Sequence, residues 1–302
     1  MQDLEATPSA VSEVQDALLP ARLPVLPRLA LAARYLLADS EDSGGDWFDA
    51  VPVPGGRVAL MVGDMAGNGV EAAAAMGRLQ AVLTERLAAG RSLEEAMQSL
   101  DRYAASVPET HGATVCAMLV DPESGVLEYT LAGHPPPLVV NRSGGHHFLP
   151  RTGGSPLGTD GGRYDVVAER ITSDDVVMLY SNGLLRSGRP TTVTARDRLA
   201  RVARQVVAQE PLPGIATGHA LDVICDEVLE ALVGEVGPLD DVALLVASPR
   251  RAQEGLVSIV PATDEHAEAL RENLDDWLTE LGAGLMDHVG VVHAFTEIVE
   301  NV

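Results

Sequence analysis

Residues 57–76 read RVALMVGDMAGNGVEAAAAM, and this stretch decides the fold more than any other part of the chain. Residues 57–64 form a short apolar run that predicts a buried strand, and the run ends in Asp64. The glycine-rich turn MAGNG follows, and the alanine-rich residues 70–89 predict a helix. The order of strand, acid, glycine turn and helix therefore places a carboxylate at the edge of a sheet.

The sequence on either side of this stretch separates helical patterns from strand patterns. Residues 29–37 predict a strand, and residues 40–49 predict a turn that leads to an acid. Residues 92–107 predict a second helix, with Ser92 as its N-cap. Short β-branched runs separated by turn residues follow, then two helical stretches and a last strand at 242–248. This segregation favours the α+β class, with antiparallel sheets, over a doubly wound α/β fold.

The composition excludes several classes of protein. The chain has 302 residues with 21 basic residues, all of them Arg, against 44 acidic ones, and its net charge of −23 disfavours binding to nucleic acid or to an anionic membrane. No apolar stretch is long enough for a membrane helix and the first residues do not form a leader, so we expect a cytoplasmic protein. Cys116 and Cys225 both lie in apolar runs, which predicts buried thiols rather than a disulfide framework.

Four acidic residues stand at strand ends or in turns, where their carboxylates can converge: Asp46, Asp64, Asp240 and Asp241. Hard divalent cations such as Mg²⁺ and Mn²⁺ prefer oxygen ligands, and acids beside glycines supply these ligands while leaving room for water. Two such ions about 3.5–4 Å apart support the hydrolysis of a phosphoester. The alternative is that Asp46 and Asp64 only cap turns and helices, as many isolated acids do.

Six motifs, taken in order and spacing, closely resemble one known family. They are SGGDWFD (43–49), VALMVGDMAGNGVEAAAAM (58–76), LAGHPPPLVV (131–140), SPLG (155–158), VVMLYSNGLLRS (176–187) and DDVALLV (240–246). The family is the bacterial branch of the PP2C-like metal-dependent serine/threonine phosphatases, of the SpoIIE/RsbU type. The resemblance implies an α-β-β-α sandwich of two antiparallel sheets flanked by helices, with two Mn²⁺ or Mg²⁺ ions at one edge.

The resemblance also assigns residues to this metal site. Asp46 and Asp64 match the family's metal acids, Met65 matches the position that lends a backbone carbonyl, and Asp240 matches the late metal acid. Asp46, Asp64 and Asp240 are therefore the expected catalytic acids, with metal-activated water as the nucleophile. Asp241 is the less favoured ligand.

One position departs from the family pattern, which has Ser/Thr-Asp-Gly where this chain has Ser181-Asn182-Gly183. An amide oxygen of Asn182 can still coordinate a metal, but it adds no negative charge, so we expect the second ion to bind more weakly. Asn182 is then either a tolerated ligand of an active phosphatase or the mark of a pseudo-phosphatase that acts as a binding scaffold.

The C-terminal segment looks like the opening of a different domain. A strand, an amphipathic helix and the pattern Glu297-x-x-x-Asn301 resemble the start of a GHKL-type ATPase domain, as in anti-sigma-factor serine kinases. In that family these two residues serve the nucleotide, but the downstream nucleotide loops are missing, so we do not expect this chain to bind ATP. A kinase with a regulatory phosphatase-like domain is a third hypothesis. The expected organisation is an N-terminal helix and linker (1–23), a phosphatase domain (24–249), a linker (250–255) and a GHKL-like fragment (256–302).

The resemblance implies partners as well. The substrate would be a small phosphorylated STAS-domain anti-anti-sigma protein, in partner-switching control of a sigma factor. The N-terminal helix would receive a signal from sensor domains or from a second protomer.

Overall fold

The computed structural model describes residues 18–20, 22–38, 44–65, 67, 69–187, 194–209, 218–234, 237–250, 264–281 and 284–300. The predicted N-terminal helix lies almost entirely outside these residues. Asn301 and the strand predicted at the start of the GHKL-like fragment lie wholly outside them.

Within these described residues, ten strands form two five-stranded sheets in which neighbouring strands pair antiparallel. The first sheet has the order β1-β10-β9-β6-β7, and the second has the order β2-β3-β4-β5-β8. The strands are β1 (Leu29–Leu36), β2 (Trp47–Val53), β3 (Arg57–Asp64), β4 (Thr114–Asp121), β5 (Val126–Ala132), β6 (Leu138–Asn141), β7 (His146–Phe148), β8 (Val167–Arg170), β9 (Asp175–Tyr180) and β10 (Val242–Pro249).

Helices cover the outer face of each sheet. The helices are α1 (Gly69–Ala88), α2 (Leu93–Ser106), α3 (Asn182–Arg186), α4 (Ala195–Gln209), α5 (Gly218–Val233), α6 (Asp264–Leu281) and α7 (Leu285–Glu300). Apolar residues of α1 and α2 share a core cluster with the second sheet, and those of α4 and α5 share one with the first sheet. The prediction of an α+β sandwich with two antiparallel sheets flanked by helices is therefore confirmed.

A third cluster of apolar side chains fills the space between the two sheets. Strand β3 shows why its sequence is continuously apolar rather than alternating. Leu60 and Val62 contribute to the cluster between the sheets, whereas Ala59 and Met61 contribute to the cluster beneath α1 and α2. Because both faces of β3 are buried, no position along its centre is left for a polar side chain.

The boundaries of the central elements follow the prediction closely. Strand β3 covers the predicted residues, α1 begins one residue earlier than expected, and Ser92 caps α2 in a capping box with Glu95. The assignment of residues 47–49 to a turn was wrong. Trp47 and Phe48 are buried and open strand β2, because pairing with β3 gives these aromatic side chains a place in the core.

The last two described helices, α6 and α7, pack against each other. Among the helices that the structure describes, not one combines the length and the apolar character that crossing a bilayer requires. Both cysteines are buried free thiols, as the sequence predicts.

Candidate metal and active site

The predicted site residues gather where strands of the two sheets end. Asp46 directly precedes β2 and Asp64 is the last residue of β3, so the second sheet supplies both. Asn182 follows β9, and Asp240 and Asp241 precede β10, so these three come from the first sheet. The topology thus brings positions that are far apart in the sequence to a common edge of the sandwich.

Asp46 is buried and Asp64 is half-buried, and the negative charge of Asp64 acts on Asp46. Burial raises the pKa of Asp46 well above its ordinary value, and the charge of Asp64 raises it further, although a hydrogen bond from Ser181 lowers it. Burial also raises the pKa of Asp64, while a hydrogen bond from Asn182 lowers it. Two carboxylates in such surroundings resist simultaneous ionisation unless a cation lies beside them.

Close backbone packing holds these two acids in place. Trp47, next to Asp46, lies opposite Gly63, next to Asp64, and a Cβ on Gly63 would come within 2.1 Å of the indole Nε1. Only glycine admits the Trp47 ring at this position. The Met65 backbone N–H also donates to the Gly45 carbonyl at 3.2 Å, which ties the segment before Asp46 to the segment after Asp64.

A neutral amide and a guanidinium lie against two of the acids. The Asn182 side-chain nitrogen donates to Asp64 Oδ2 at 3.3 Å. The Arg186 guanidinium donates to Asp240 Oδ2 at 2.7 Å, in an ion pair at the exposed rim of the site. Asn182 therefore hydrogen-bonds to one acid of the site, and the positive charge of Arg186 offsets part of the negative charge of another.

Asp241 serves a different role from its neighbour. Its carboxylate is buried, Oδ1 accepts the Ala38 N–H at 2.9 Å, and Oδ2 accepts the Tyr35 hydroxyl at 3.0 Å and the Gly44 N–H. Burial raises the pKa of Asp241 despite these three donors. With both oxygens engaged by protein donors, Asp241 fastens the end of β1 to the segment that leads into Asp46.

His134 links the two sheets close to the site. Its Nδ1 lies 2.8 Å from Thr114 Oγ1, at the start of β4, and its Nε2 lies 3.2 Å from the Tyr180 carbonyl oxygen, at the end of β9. Burial lowers the pKa of His134 to about 4, so the imidazole is neutral near pH 7. Because Thr114 pairs with Asp64 in the sheet, this histidine connects the strand ends that carry Asp64 and Asn182.

The donor set fits a hard divalent cation chemically. Asp46, Asp64 and Asp240 offer carboxylate oxygens, and Asn182 offers an amide oxygen, which are the ligand types that Mg²⁺ and Mn²⁺ prefer. Across the part of the chain that the structure describes, however, no three His, Cys, Asp or Glu side chains are grouped tightly enough to surround an ion. One of these carboxylates, that of Asp240, lies against the Arg186 guanidinium.

Sequence reasoning missed three residues that the structure places at this edge: Tyr35, Ser181 and Arg186. Arg186 carried a usable signal, since it stands four residues after Asn182 in SNGLLR, on the same face of a helix. Nothing in the sequence around Tyr35 marks its contact with Asp241. Of the two residues that match the GHKL nucleotide motif, Glu297 is an exposed residue of α7 and Asn301 lies outside the described residues.

The model of the Stage II sporulation protein E (SpoIIE) family matches residues 54–250, which is more than half of the chain. The chain belongs to the SpoIIE family. Its two antiparallel sheets flanked by helices are accordingly a PP2C-like fold.

Two relatives of this SpoIIE-family chain extend the comparison. The phosphoserine phosphatase RsbP of Bacillus subtilis (strain 168) is 27% identical over 157 residues, which cover 50% of this chain and 38% of RsbP. The crystal structure of the RsbU and RsbW domains of Rv1364c from Mycobacterium tuberculosis is 36% identical, with a TM-score of 0.84. This match covers 94% of the present chain and 77% of the Mycobacterium tuberculosis chain.

A more distant structure shares the fold alone. RsbX, crystallised in complex with magnesium, is 12% identical with a TM-score of 0.57, and the match covers 76% of this chain and 98% of that one. The chain spans 38% to 40% of the length of the curated relatives it matches.

Proposed function

We propose that this chain is a metal-dependent protein phosphatase that hydrolyses phosphoserine or phosphothreonine on a regulatory protein. The observation that carries the proposal lies at one sheet edge of a SpoIIE-family domain, where burial and the charge of the nearby Asp64 both raise the pKa of Asp46. Stability alone does not favour such a pair, whereas a site built to receive a divalent cation requires it.

The proposal includes two Mn²⁺ or Mg²⁺ ions. Asp46, Asp64, Asn182, Asp240 and the Met65 carbonyl would hold them. When bound, such ions activate water as a nucleophile and offset the charge that develops on the phosphoryl oxygens. The complex of RsbX with magnesium supports this choice of metal.

The chain's own residues shape the site around these ligands. Asp241 holds the segment before Asp46 through the Gly44 N–H. His134, as a neutral imidazole, links the start of β4 to the end of β9. Arg186 adds a positive charge at the exposed rim, where a phosphoprotein would approach. These groups fix the carboxylates in place without taking part in proton transfer.

The substrate and partners follow by analogy. RsbP is a phosphoserine phosphatase, which supports a phosphorylated serine as the target. We extend this to a phosphorylated STAS-domain anti-anti-sigma protein in partner-switching control of a sigma factor, with sensor domains or a second protomer as the source of the signal. A cytoplasmic location belongs to the same proposal and agrees with the two buried free thiols.

The proposed organisation keeps the phosphatase domain at 24–249 and a GHKL-like fragment at 256–302. Support for the fragment comes from the similarity to the structure of the RsbU and RsbW domains of Rv1364c, which covers 94% of this chain. Helices α6 and α7 lie within the fragment, and Glu297 stands on α7.

A scaffold without catalysis is the second candidate function. Asn182 supplies no charge where the family motif has a carboxylate, and Arg186 is paired with Asp240. Both features weaken cation binding, and a domain that binds phosphoproteins without cleaving them would keep the same fold.

The test is Mn²⁺-dependent hydrolysis of p-nitrophenyl phosphate and of a phosphoserine peptide. We expect the unmodified chain to turn over and Asp64→Ala to lose at least about a hundredfold in activity. Asp165→Ala, which removes an exposed acid from a surface ion pair with Arg163, is the matched control and should change nothing. If only Asn182→Asp is active, the unmodified chain is a scaffold. Equal activity of Asp64→Ala and the unmodified chain would refute the proposal of a metal-dependent phosphatase.

A further inference from the structure

The ion pair between Arg186 and Asp240 stands at the mouth of the candidate site. The Arg186 guanidinium donates to Asp240 Oδ2 at 2.7 Å, and the two side chains are 68% and 43% exposed. A guanidinium stays protonated at any pH at which the protein is folded, so this positive charge is permanent. One of the carboxylates expected to bind metal therefore already has a cation against it.

The fold brings Arg186 to this position, because the short helix α3 is pressed against the segment before β10. A Cβ on Gly183 would lie 1.8 Å from the Asp241 carbonyl oxygen, so only glycine allows this approach. The Ser187 hydroxyl donates back to the Gly183 carbonyl at 2.7 Å, and Arg198 donates to the Ser187 carbonyl at 2.9 Å. The end of α3 is therefore anchored, and Arg186 starts from a fixed backbone next to Asp240.

We propose that Arg186 competes with a divalent cation for Asp240 and thereby sets the metal affinity of the site. This inference rests on the proposed function, since it concerns the same carboxylates. A metal ion that takes Asp240 as a ligand must first separate it from the guanidinium. It must then tolerate a positive charge that remains close by.

The influence of Arg186 extends beyond its direct partner. Its positive charge also attracts the carboxylate of Asp64, on the opposite sheet. One guanidinium therefore acts on two of the acids, in the same sense as a bound metal ion. An exposed ion pair of this kind is weak and opens readily, so Arg186 hinders the metal without blocking it.

Removal of this charge should tighten metal binding. For Arg186→Met, which keeps the aliphatic stem but not the charge, we expect the Kd for Mn²⁺ to fall by about three- to tenfold. Arg186→Lys keeps the charge and should stay within about twofold of the unmodified chain. Arg163→Met removes the same charge from an exposed pair with Asp165 outside the site and is the matched control.

The experiment is a calorimetric titration of the full chain with MnCl₂, repeated for each variant and for Asp64→Ala. Thermal unfolding without metal first verifies that each variant is folded, and Arg186→Gln replaces Arg186→Met if the latter is not. Tighter binding by Arg186→Met, with Arg186→Lys and Arg163→Met unchanged, supports the competition. Binding of Mn²⁺ by Arg186→Met, and by no other protein in the set, would also support the competition.

The opposite results separate the two proposals. Equal Mn²⁺ affinity of Arg186→Met and the unmodified chain, with binding lost in Asp64→Ala, overturns the competition and leaves the metal site intact. Absence of Mn²⁺ binding from every variant overturns the metal site itself, and the competition falls with it. Equal tightening by Arg163→Met would show a general effect of net charge and would also overturn the role of Arg186.

Discussion

The side-chain nitrogen of Asn182 lies 3.3 Å from Asp64 Oδ2, across the boundary between the two sheets. This contact lowers the pKa of Asp64, against the effect of burial. A neutral amide thus relieves part of the repulsion that Asp64 experiences from the other acids. Because the family motif has Asp where this chain has Asn182, the site also has one carboxylate fewer to attract a cation.

The first prediction concerns Asn182→Asp. A fourth carboxylate beside Asp46, Asp64 and Asp240 should tighten Mn²⁺ binding by about tenfold or more and raise phosphatase activity. The same change should lower the stability of the metal-free protein, because it adds a negative charge to a buried acidic site. Calorimetry and thermal unfolding with and without MnCl₂ measure the two effects. Tighter binding with unchanged metal-free stability would contradict the repulsion described here.

The second prediction compares two buried acids in different surroundings. Asp46→Asn should abolish activity while the metal-free protein keeps or gains stability, because the substitution removes a charge that burial and Asp64 both disfavour. The control is Asp101→Asn. The Asp101 carboxylate is also buried, but it accepts hydrogen bonds from the Gly158 N–H at 2.8 Å and the Tyr164 hydroxyl at 2.8 Å.

Because those donors stabilise its charge, Asp101→Asn should cost about 1–3 kcal/mol of unfolding free energy. Urea denaturation in EDTA measures both variants. A loss of stability in Asp46→Asn as large as that in Asp101→Asn would mean that Asp46 is a structural acid and not one held ready for a cation.

The sequence predicted the central elements well because their signals are local. Strand β3 and helix α1 are set apart by Asp64 and a glycine turn, and the apolar run of β3 follows from burial on both faces. Strand β2 was missed because Trp47 and Phe48 follow two glycines and read as part of a turn. Only pairing with β3, a tertiary interaction, makes a strand of them.

The candidate site likewise has residues that the sequence predicted and contacts that it did not. Asp46, Asp64 and Asp240 were predicted because each is an acid at a strand end or in a turn, within a recognisable motif. The contacts of Arg186 with Asp240 and of Tyr35 with Asp241 join residues 54 and 206 positions apart, which no local pattern encodes. Such contacts are fixed by the pairing of β1 with β10 and by the position of α3 beside β10.

The third prediction concerns Asp241, which accepts hydrogen bonds from Ala38, Gly44 and Tyr35. Asp241→Ala leaves these donors without their acceptor and should cost about 2–4 kcal/mol of unfolding free energy. Activity should fall as well, because the segment before Asp46 loses its attachment.

Tyr35→Phe removes only one donor and should cost about 1 kcal/mol. Asp240→Asn, at an exposed position, should change metal-free stability by less than either variant, and a larger cost there would reverse the roles assigned to the two acids.

The last prediction concerns the dependence of stability on pH through His134. Burial lowers the pKa of this residue from 6.5 to about 4, so between these values the unfolded chain binds a proton that the folded protein does not. Stability from this residue is therefore complete above about pH 6.5 and is lost as the pH falls toward 4, by up to about 3 kcal/mol. Asp46 and Asp64, whose pKa values are raised, act in the opposite sense in the metal-free protein.

Comparison with His134→Gln removes the contribution of the acids, because both proteins carry them. Glutamine can still bond to Thr114 and Tyr180 but does not titrate, so the difference in unfolding free energy between the two proteins should shrink as the pH falls from 6.5 to 4. Urea denaturation in EDTA across this range measures the difference. A constant difference at all pH values would show that His134 does not change its protonation on unfolding, and that its imidazole is not held neutral between Thr114 and Tyr180.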